Sequence, residues 1–445
     1  TYTIGGTPGP SNVATLDSAV SVLNSCGILA PVVFNMQGGT HNAVTIGNVS
    51  GSNATNTITF NGSANMGDSI VAMGQGAALD IDGTNYISFN DLYIENSGGT
   101  YVVWAHSGSK AVEFDNCMMV GSRTTTLTSA VFAASNSATS PTTYGDNVSD
   151  LTISNCDIIG NYYGIVVNGS STSSKARNIS ILDNHFEDTY YYGIRTYYTD
   201  TISVENNEML NSFRNSTNSY ALYIYYSDNA SIMGNQVYGA GYSALMFYYT
   251  NYSNATPGSY SIVANNMLQS NGTYGMYFYY PNNADMFHNT VQGGTTYGLY
   301  LNGIASSATQ DIDIRNNIIV NDGVMGGLSK SEIQLTNNSI QFTGAVSLEN
   351  NGGFASMRTL VIKGAFSACK IMTMRSKSSS TDRTFGLSLK NSQQYYIPYY
   401  KHTFSPKTTE WETLTVNLSD FKHYRISEVI GNDMPITALD DIYNM

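Results

Sequence analysis

An asparagine recurs at regular steps along much of this chain. It precedes a short apolar run in "FDNCMMVG" (Asn116), "ISNCDIIG" (Asn155), "ILDNHFED" (Asn184), "VENNEML" (Asn207), "IMGNQVYG" (Asn235), "VANNMLQ" (Asn266), "MFHNTVQ" (Asn289) and "IRNNIIV" (Asn317). From Asn155 onward the steps are 29, 23, 28, 31, 23 and 28 residues. A small residue follows nine positions later at Gly164, Gly193, Ala244, Gly275 and Gly298, and fourteen positions after Asn207 at Ala221. A unit of this length, holding three short β-like runs, predicts the coils of a parallel β-helix. Leucine-rich repeats share the period but need a Leu-x-x-Leu-x-Leu ladder, which is missing. Asparagine suits a coil corner because it tolerates left-handed backbone, and stacked amides can hydrogen-bond from coil to coil.

Counting from the small residue fixes which side chains face inward. Ile194 and Thr196, Leu222 and Ile224, Leu245 and Phe247, Met276 and Phe278, and Leu299 and Leu301 form an inward series at period two. The alternate positions then point out: Arg195, Tyr197, Tyr223, Tyr225, Met246, Tyr248, Tyr277, Tyr279, Tyr300 and Asn302. Coils stack about 4.8 Å apart, so these residues predict two outward aromatic columns on one flat face. Tyr198, Tyr226, Tyr249 and Tyr280 fall at the strand ends and are expected to line the corner. Such a face suits sugar rings or the flank of another β-helix, because an extended exposed apolar patch usually contacts something.

The ends of the repeat are also readable. "TLDSAVSVLN" (15–24) places Leu16, Ala19, Val20 and Leu23 on one helical face, which predicts a short helix capping the first coil. "PVVFNMQGGTHN" then reads as the first strand and turn. Cys117 and Cys156 hold the same position after their asparagines, with a polar insertion (124–147) between them. They are expected as stacked, buried thiols. Four scattered cysteines are too few for a disulfide framework or a zinc site.

The pattern over 1–320 resembles the right-handed parallel β-helix proteins of the pectate-lyase-like superfamily. That fold hosts lyases, hydrolases, epimerases, adhesins and spacers, so the resemblance leaves activity open. Uronate lyases on this fold need a strong base and a means of neutralising the sugar carboxylate. Residues 1–320 hold seven basic side chains, and Arg195 is the one in mid-strand with outward parity. Its acidic neighbours Asp188, Asp200 and Glu205 would be needed for a cleft. "LDIDGTN" (79–85) faintly resembles a calcium loop but reads as an alternating strand, and the dispersed histidines, His185 and His288 among them, give no nucleophile–His–acid spacing. Arg195 therefore stands as the weak catalytic candidate, with no metal site and no cofactor expected.

After "DIRNNIIV" the chain changes character. Residues 1–320 carry a balance of −14, whereas 321–445 carry +1. "VNDGVMGGLSKSEI", "FTGAVSLENNGGFASMR" and "EWETLTVNLSDF" resemble, in order, the complex I intermediate-associated assembly-factor family. The resemblance implies a galactose-binding-like jelly roll that binds or assembles rather than catalyses. Asn321, Asp322, Gly326, Gly327, Glu349, Asn350, Asn351, Gly352 and Gly353 match its turn positions. That family's leading strand is replaced here by the last β-helix strand, and the closing strands are missing after "ALDDIYNM". "TLVIKGAF", "FGLSLKN" and "TLTVNLSDF" independently predict short antiparallel strands.

The expected architecture is all-β: a parallel β-helix with a short N-terminal capping helix over 1–320, then an incomplete β-sandwich over 321–445. The net charge of −13 argues against a nucleic-acid partner. No apolar run reaches the roughly 18 residues of a membrane helix. "TYTIGGTPGP" lacks the basic start and apolar stretch of a signal peptide, which predicts a mature or trimmed form. Low charge with abundant Ser, Thr, Asn and Tyr is typical of extracellular β-rich proteins. The function expected is non-catalytic binding of a polysaccharide or surface protein, on a secreted or cell-surface bacterial protein. A uronate lyase or epimerase using Arg195 is the alternative, and a fibre subunit self-associating through an open β edge is the second.

Overall fold

A computed structural model of the protein describes residues 1–302 apart from 64, 65, 75, 253, 254 and 256, residues 312–320, and short stretches between 332 and 444. By its internal contacts the chain divides into two compact units: Thr1–Leu299 with Ile312–Val324, and Tyr300–Asp311 with Met325–Met445.

The first unit is a stack of coils. Ten full coils, between Val32 and Asn302, each lay one strand in each of three parallel sheets, and the two ends add further strands to the first and second sheets. The first sheet has 13 strands and ends on Ile312–Arg315, the second has 11 and ends on Ile318–Val320, and the third has ten and ends on Tyr297–Asn302. Strands pair in register, so equivalent residues of successive coils sit side by side, as in Ile202 beside Ala230 and Ile194 beside Leu222. The inward residues of the first sheet stack Phe34, Phe60, Phe89 and Phe114 at centroid distances of 4.9, 5.5 and 4.9 Å. In the third sheet the expected inward series is fully or almost fully buried from Ile194 to Leu301.

The corner asparagine does two jobs, and the structure divides them between neighbours. One residue per coil takes the left-handed conformation between the first and second sheets: Asp91, Asn116, Asn155, Asp183, Asn206, Asn265, His288 and Asn316, with φ between 50° and 57°. The next residue points inward, and Asn184, Asn207, Asn235, Asn266, Asn289 and Asn317 form the ladder. Each Oδ1 from Asn207 to Asn317 accepts both the backbone N–H and the Nδ2 of the asparagine one coil before, at 2.9–3.1 Å. Each Nδ2 also donates to a main-chain carbonyl of the preceding coil, as Asn235 does to Val204 at 2.8 Å. Asn116 and Asn155 are therefore one residue out of register with the ladder. Their inward neighbours, Cys117 and Cys156, occupy its first rungs as buried free thiols, with the Cys117 N–H 3.4 Å from Cys156 Sγ. The Cys117 contact and burial push the Cys156 thiol up, so it stays protonated.

The helix forms where the apolar spacing placed it, at Leu16–Cys26, with Leu16, Ala19, Val20 and Leu23 buried. Thr15 caps its first turn through Ser18 N–H, and Gly27 ends it at φ 67°. The helix protects an edge: Asn24 donates to Thr45 O and accepts from Gly47 N–H, both at 3.0 Å, beside the first strand of the third sheet, Val44–Ile46. Two expectations need correction. Tyr2–Ile4 and Asn12–Val13 add rungs before Val32–Met36, which is thus not the first strand. The insertion 124–147 contains a fully buried strand, Ala130–Ala134, so the irregular loop begins only at 135.

In the second unit Ile371–Ser376 pairs antiparallel with Glu412–Asn417, and Phe385–Asn391 with Tyr399–Phe404. These agree with the strands expected from "FGLSLKN" and "TLTVNLSDF". The family turn positions at 321–327 and 349–353 lie outside the described residues.

The ladder predicts a sharp asymmetry between adjacent residues. Asn235→Ala deletes five side-chain bonds and leaves the buried Asn207 N–H unpaired, so urea denaturation should show a loss of roughly 3–5 kcal/mol. Asp183→Gly, at a corner that glycine adopts freely, should stay within about 1 kcal/mol of the parent or exceed it.

Candidate functional site

The outward face of the third sheet gathers most of the unusual chemistry, because register stacks every second side chain into columns. Tyr197, Tyr225, Tyr248 and Tyr279 are paired neighbours in successive coils. Their ring centroids are 4.1, 5.5 and 5.0 Å apart. The parallel column runs Arg195, Tyr223, Met246, Tyr277, and Tyr300 stands on the last strand of this sheet. A further column escaped the sequence reading: Tyr163, Tyr192 and Tyr220 open their strands in register and stack at 5.4 and 5.0 Å. Its signal was present, since each tyrosine stands one residue before the small residue that starts the count.

The face is less open than expected. Tyr277 and Met246 are buried, and the other described ladder tyrosines are half-buried against one another. Tyr197, Tyr225 and Tyr248 lie nearly parallel within their column, with interplanar angles of 19°. They spend much of their ring faces on each other. Burial pushes Tyr223 up to about 12 and also raises Tyr197, Tyr225 and Tyr248. These phenols are neutral donors and acceptors at ordinary pH.

The corner beyond this sheet is the strongest anomaly. Tyr198, Tyr226, Tyr249 and Tyr280 hold φ of 55°, 47°, 49° and 48°, where bulky side chains are rare. At the same corner of earlier coils stand Gly83 and Ser107, ordinary residues for that conformation. The four rings stack at 5.4, 4.8 and 5.3 Å with interplanar angles of 25°, 8° and 16°. Tyr144 packs edge-on against Tyr198, and Tyr252 against Tyr249 and Tyr280. Tyr144 and Tyr252 are each 39% exposed.

Arg195 does not stand free on the strand. It is 8% exposed, donates to Asn168 Oδ1 at 2.8 Å and lies 4.4 Å from the Tyr197 ring centre. The loop after Ala134 comes over this region: Asn168 Nδ2 donates to Pro141 O at 2.8 Å, and Tyr144 packs 5.2 Å from Tyr197. Its proposed acidic partners are engaged elsewhere. Asp188 pairs with Arg123, Asp200 accepts from Asn229, and Glu205 accepts from Ser231. None of the three is paired with Arg195, which bonds to Asn168 instead.

Sequence spacing also missed an acid–histidine cluster on the same face. Trp104 pairs with Asp80 and His106 with Asp82 across adjacent strands. His106 Nε2 lies 2.8 Å from Asp80 Oδ1 and Nδ1 3.5 Å from Asp82 Oδ1, while the Trp104 ring stacks on the imidazole at 3.7 Å. The "LDID" part of "LDIDGTN" thus lies in the strand Ala77–Asp82, while Gly83 and Thr84 turn the corner, and its aspartates bracket a histidine. The matching outward parity of Asp-x-Asp and Trp-x-His was the available clue. Both imidazole nitrogens face carboxylates, which favour the protonated ring, and Nδ1 also lies 2.9 Å from Ser107 Oγ.

Residues 32–209 match the family model described as right handed beta helix region. This part of the chain is a right-handed β-helix. Residues 307–445 match the model described as Complex I intermediate-associated protein 30 (CIA30). No curated protein sequence matches the chain. Among solved structures, the β-helix is similar to an alginate lyase from Paenibacillus sp. str. FPU-7, with 12% identity over 68% of this chain and 97% of that one, TM-score 0.40. It is similar to pectate lyase Pel9A, with 13% identity over 72% and 75%, TM-score 0.42. It is also similar to the Streptococcus pneumoniae surface protein and adhesin PfbA, with 12% identity over 69% and 92%, TM-score 0.36. None of these likenesses assigns an activity to this chain.

The His106 cluster gives a signed pH dependence. Burial opposes its charge, but the Asp80 hydrogen bond and the charges of Asp80, Asp82 and Asp146 overcome that and raise its pKa. Its stabilising contribution is complete below the unfolded value of about 6.5 and is lost as pH rises through the higher folded value. The denaturation midpoint of the parent, relative to His106→Gln, should therefore fall as pH rises above about 6.5. Parallel pH profiles would contradict this.

Proposed function

We propose that this protein is a non-catalytic, secreted or cell-surface bacterial protein that binds glycan along the tyrosine face of its β-helix. The observation that carries the reading is the left-handed tyrosine corner. Placing a bulky residue in that conformation costs about 1–2 kcal/mol each time, and each stacked pair returns roughly 0.5–1.5 kcal/mol beyond area burial. Three stacked pairs return less than four left-handed residues cost, and glycine at the corner would avoid that cost altogether. Four tyrosines there favour a role for the phenols themselves. Ring edges and neutral hydroxyls at coil spacing suit the hydroxyl-rich edge of a neutral sugar chain. The burial of Arg195 and the dispersal of its acidic neighbours weigh against a lyase.

The low-charge, Ser-, Thr-, Asn- and Tyr-rich composition supports a location outside the cell. In this reading 1–320 supplies the binding face and 321–445 a second binding or assembly module.

The test separates hydroxyls from rings. Replacing Tyr198, Tyr226, Tyr249 and Tyr280 by Phe keeps the stacks, so the melting temperature should change little, while binding on a glycan array should weaken at least tenfold, about 1.4 kcal/mol. Unchanged glycan binding by the Phe variant would refute the reading. So would release of unsaturated uronate, which would restore the lyase alternative.

A further inference from the structure

A buried lysine–aspartate pair crosses three coils at a corner. Lys175 precedes the strand Ala176–Leu182, Asp200 lies in the next coil's strand Thr199–Glu205, and Asp228 opens the strand Asp228–Met233 one coil further on. Register places Asp200 beside Asp228. The Lys175 side chain reaches past the intervening coil, and its Nζ is in direct contact with Asp228 Oδ2. The two side chains are only 5% and 2% exposed.

As a plain ion pair this arrangement is poor. Removing two charges from water is compensated only when geometry and hydrogen bonding are very good, and here the Lys175 ammonium meets a single carboxylate oxygen. Burial raises the Asp228 pKa despite Lys175, and the charge of Asp200 raises it further. A lysine Nζ held against a carboxyl in a dry site is placed for condensation, because burial disfavours charge on both groups.

We propose that Lys175 and Asp228 join spontaneously in an intramolecular amide bond that staples three consecutive coils. One proton first passes from the ammonium to the carboxylate, giving amine and carboxylic acid. The Nζ lone pair attacks Asp228 Cγ, the bond from Cγ to the hydroxyl oxygen breaks, and that oxygen leaves as water with a proton from nitrogen. Nothing is oxidised or reduced, and net charge is unchanged. Asp200 is a positioning residue: its carboxylate, fixed by Asn229 Nδ2 at 2.8 Å, keeps the proton on Asp228. The linkage closes a segment of 53 residues, Lys175 to Asp228, and would hold these coils together under pulling or partial unfolding.

Intact-mass spectrometry of the full chain under denaturing conditions tests this directly. The expected mass is below that of the sequence by one water, and a protease digest should contain a branched peptide joining Lys175 to Asp228. Lys175→Arg should restore the full mass. Asp228→Asn should still link, losing ammonia instead of water. Asp200→Asn should slow linkage in freshly refolded protein, and Asp200→Glu should restore its rate. A folded chain of full mass, with Lys175 and Asp228 on separate unmodified peptides, overturns the proposal, as does a water loss that persists in Lys175→Arg.

Discussion

In-register pairing between coils is the constraint on which the rest of this molecule depends. A parallel stack copies each position of one coil onto the next at the strand spacing. Any inward polar group must therefore find its partners above and below. The asparagine ladder meets that demand: each amide ties the neighbouring main chain at the corner where the strands bend and sheet pairing cannot serve it. With the corner fixed, side-chain parity follows along each strand. The phenylalanine stack of the first sheet and the tyrosine columns of the third follow from the same register.

Register also concentrates chemistry on one outward face. Along the third sheet the columns pass from Asp80, Asp82, Trp104 and His106, through Ala133 and Val166, to Arg195 and the tyrosines. The loop after Ala134 separates the charged end from the aromatic end and brings Tyr144 to the first tyrosine rungs. These groups sit on a rigid stack of strands, with left-handed tyrosines at its corner.

Much of this was legible in the sequence because a repeat reports its own geometry. The spacing of asparagine and small residue identified the coils, and period two sorted Met276 and Phe278 inward from Tyr277 and Tyr279. The one-residue error at Asn116 and Asn155 arose because asparagine serves both as a left-handed residue and as a ladder residue. Sequence spacing cannot separate the two roles where cysteine takes the ladder place. The burial of Arg195 depends on a loop crossing the face from a different coil, which parity along its own strand does not report. The His106 cluster was hidden for a similar reason, since its carboxylates come from the preceding coil.

Hydroxyl-radical footprinting of the tyrosines, with and without a glycan selected from an array, tests the central claim most directly. The account predicts protection of Tyr198, Tyr226, Tyr249 and Tyr280 on ligand addition, with Tyr93 and Tyr238 of the second sheet unchanged. Equal reactivity of the corner tyrosines in the free and bound protein would contradict it.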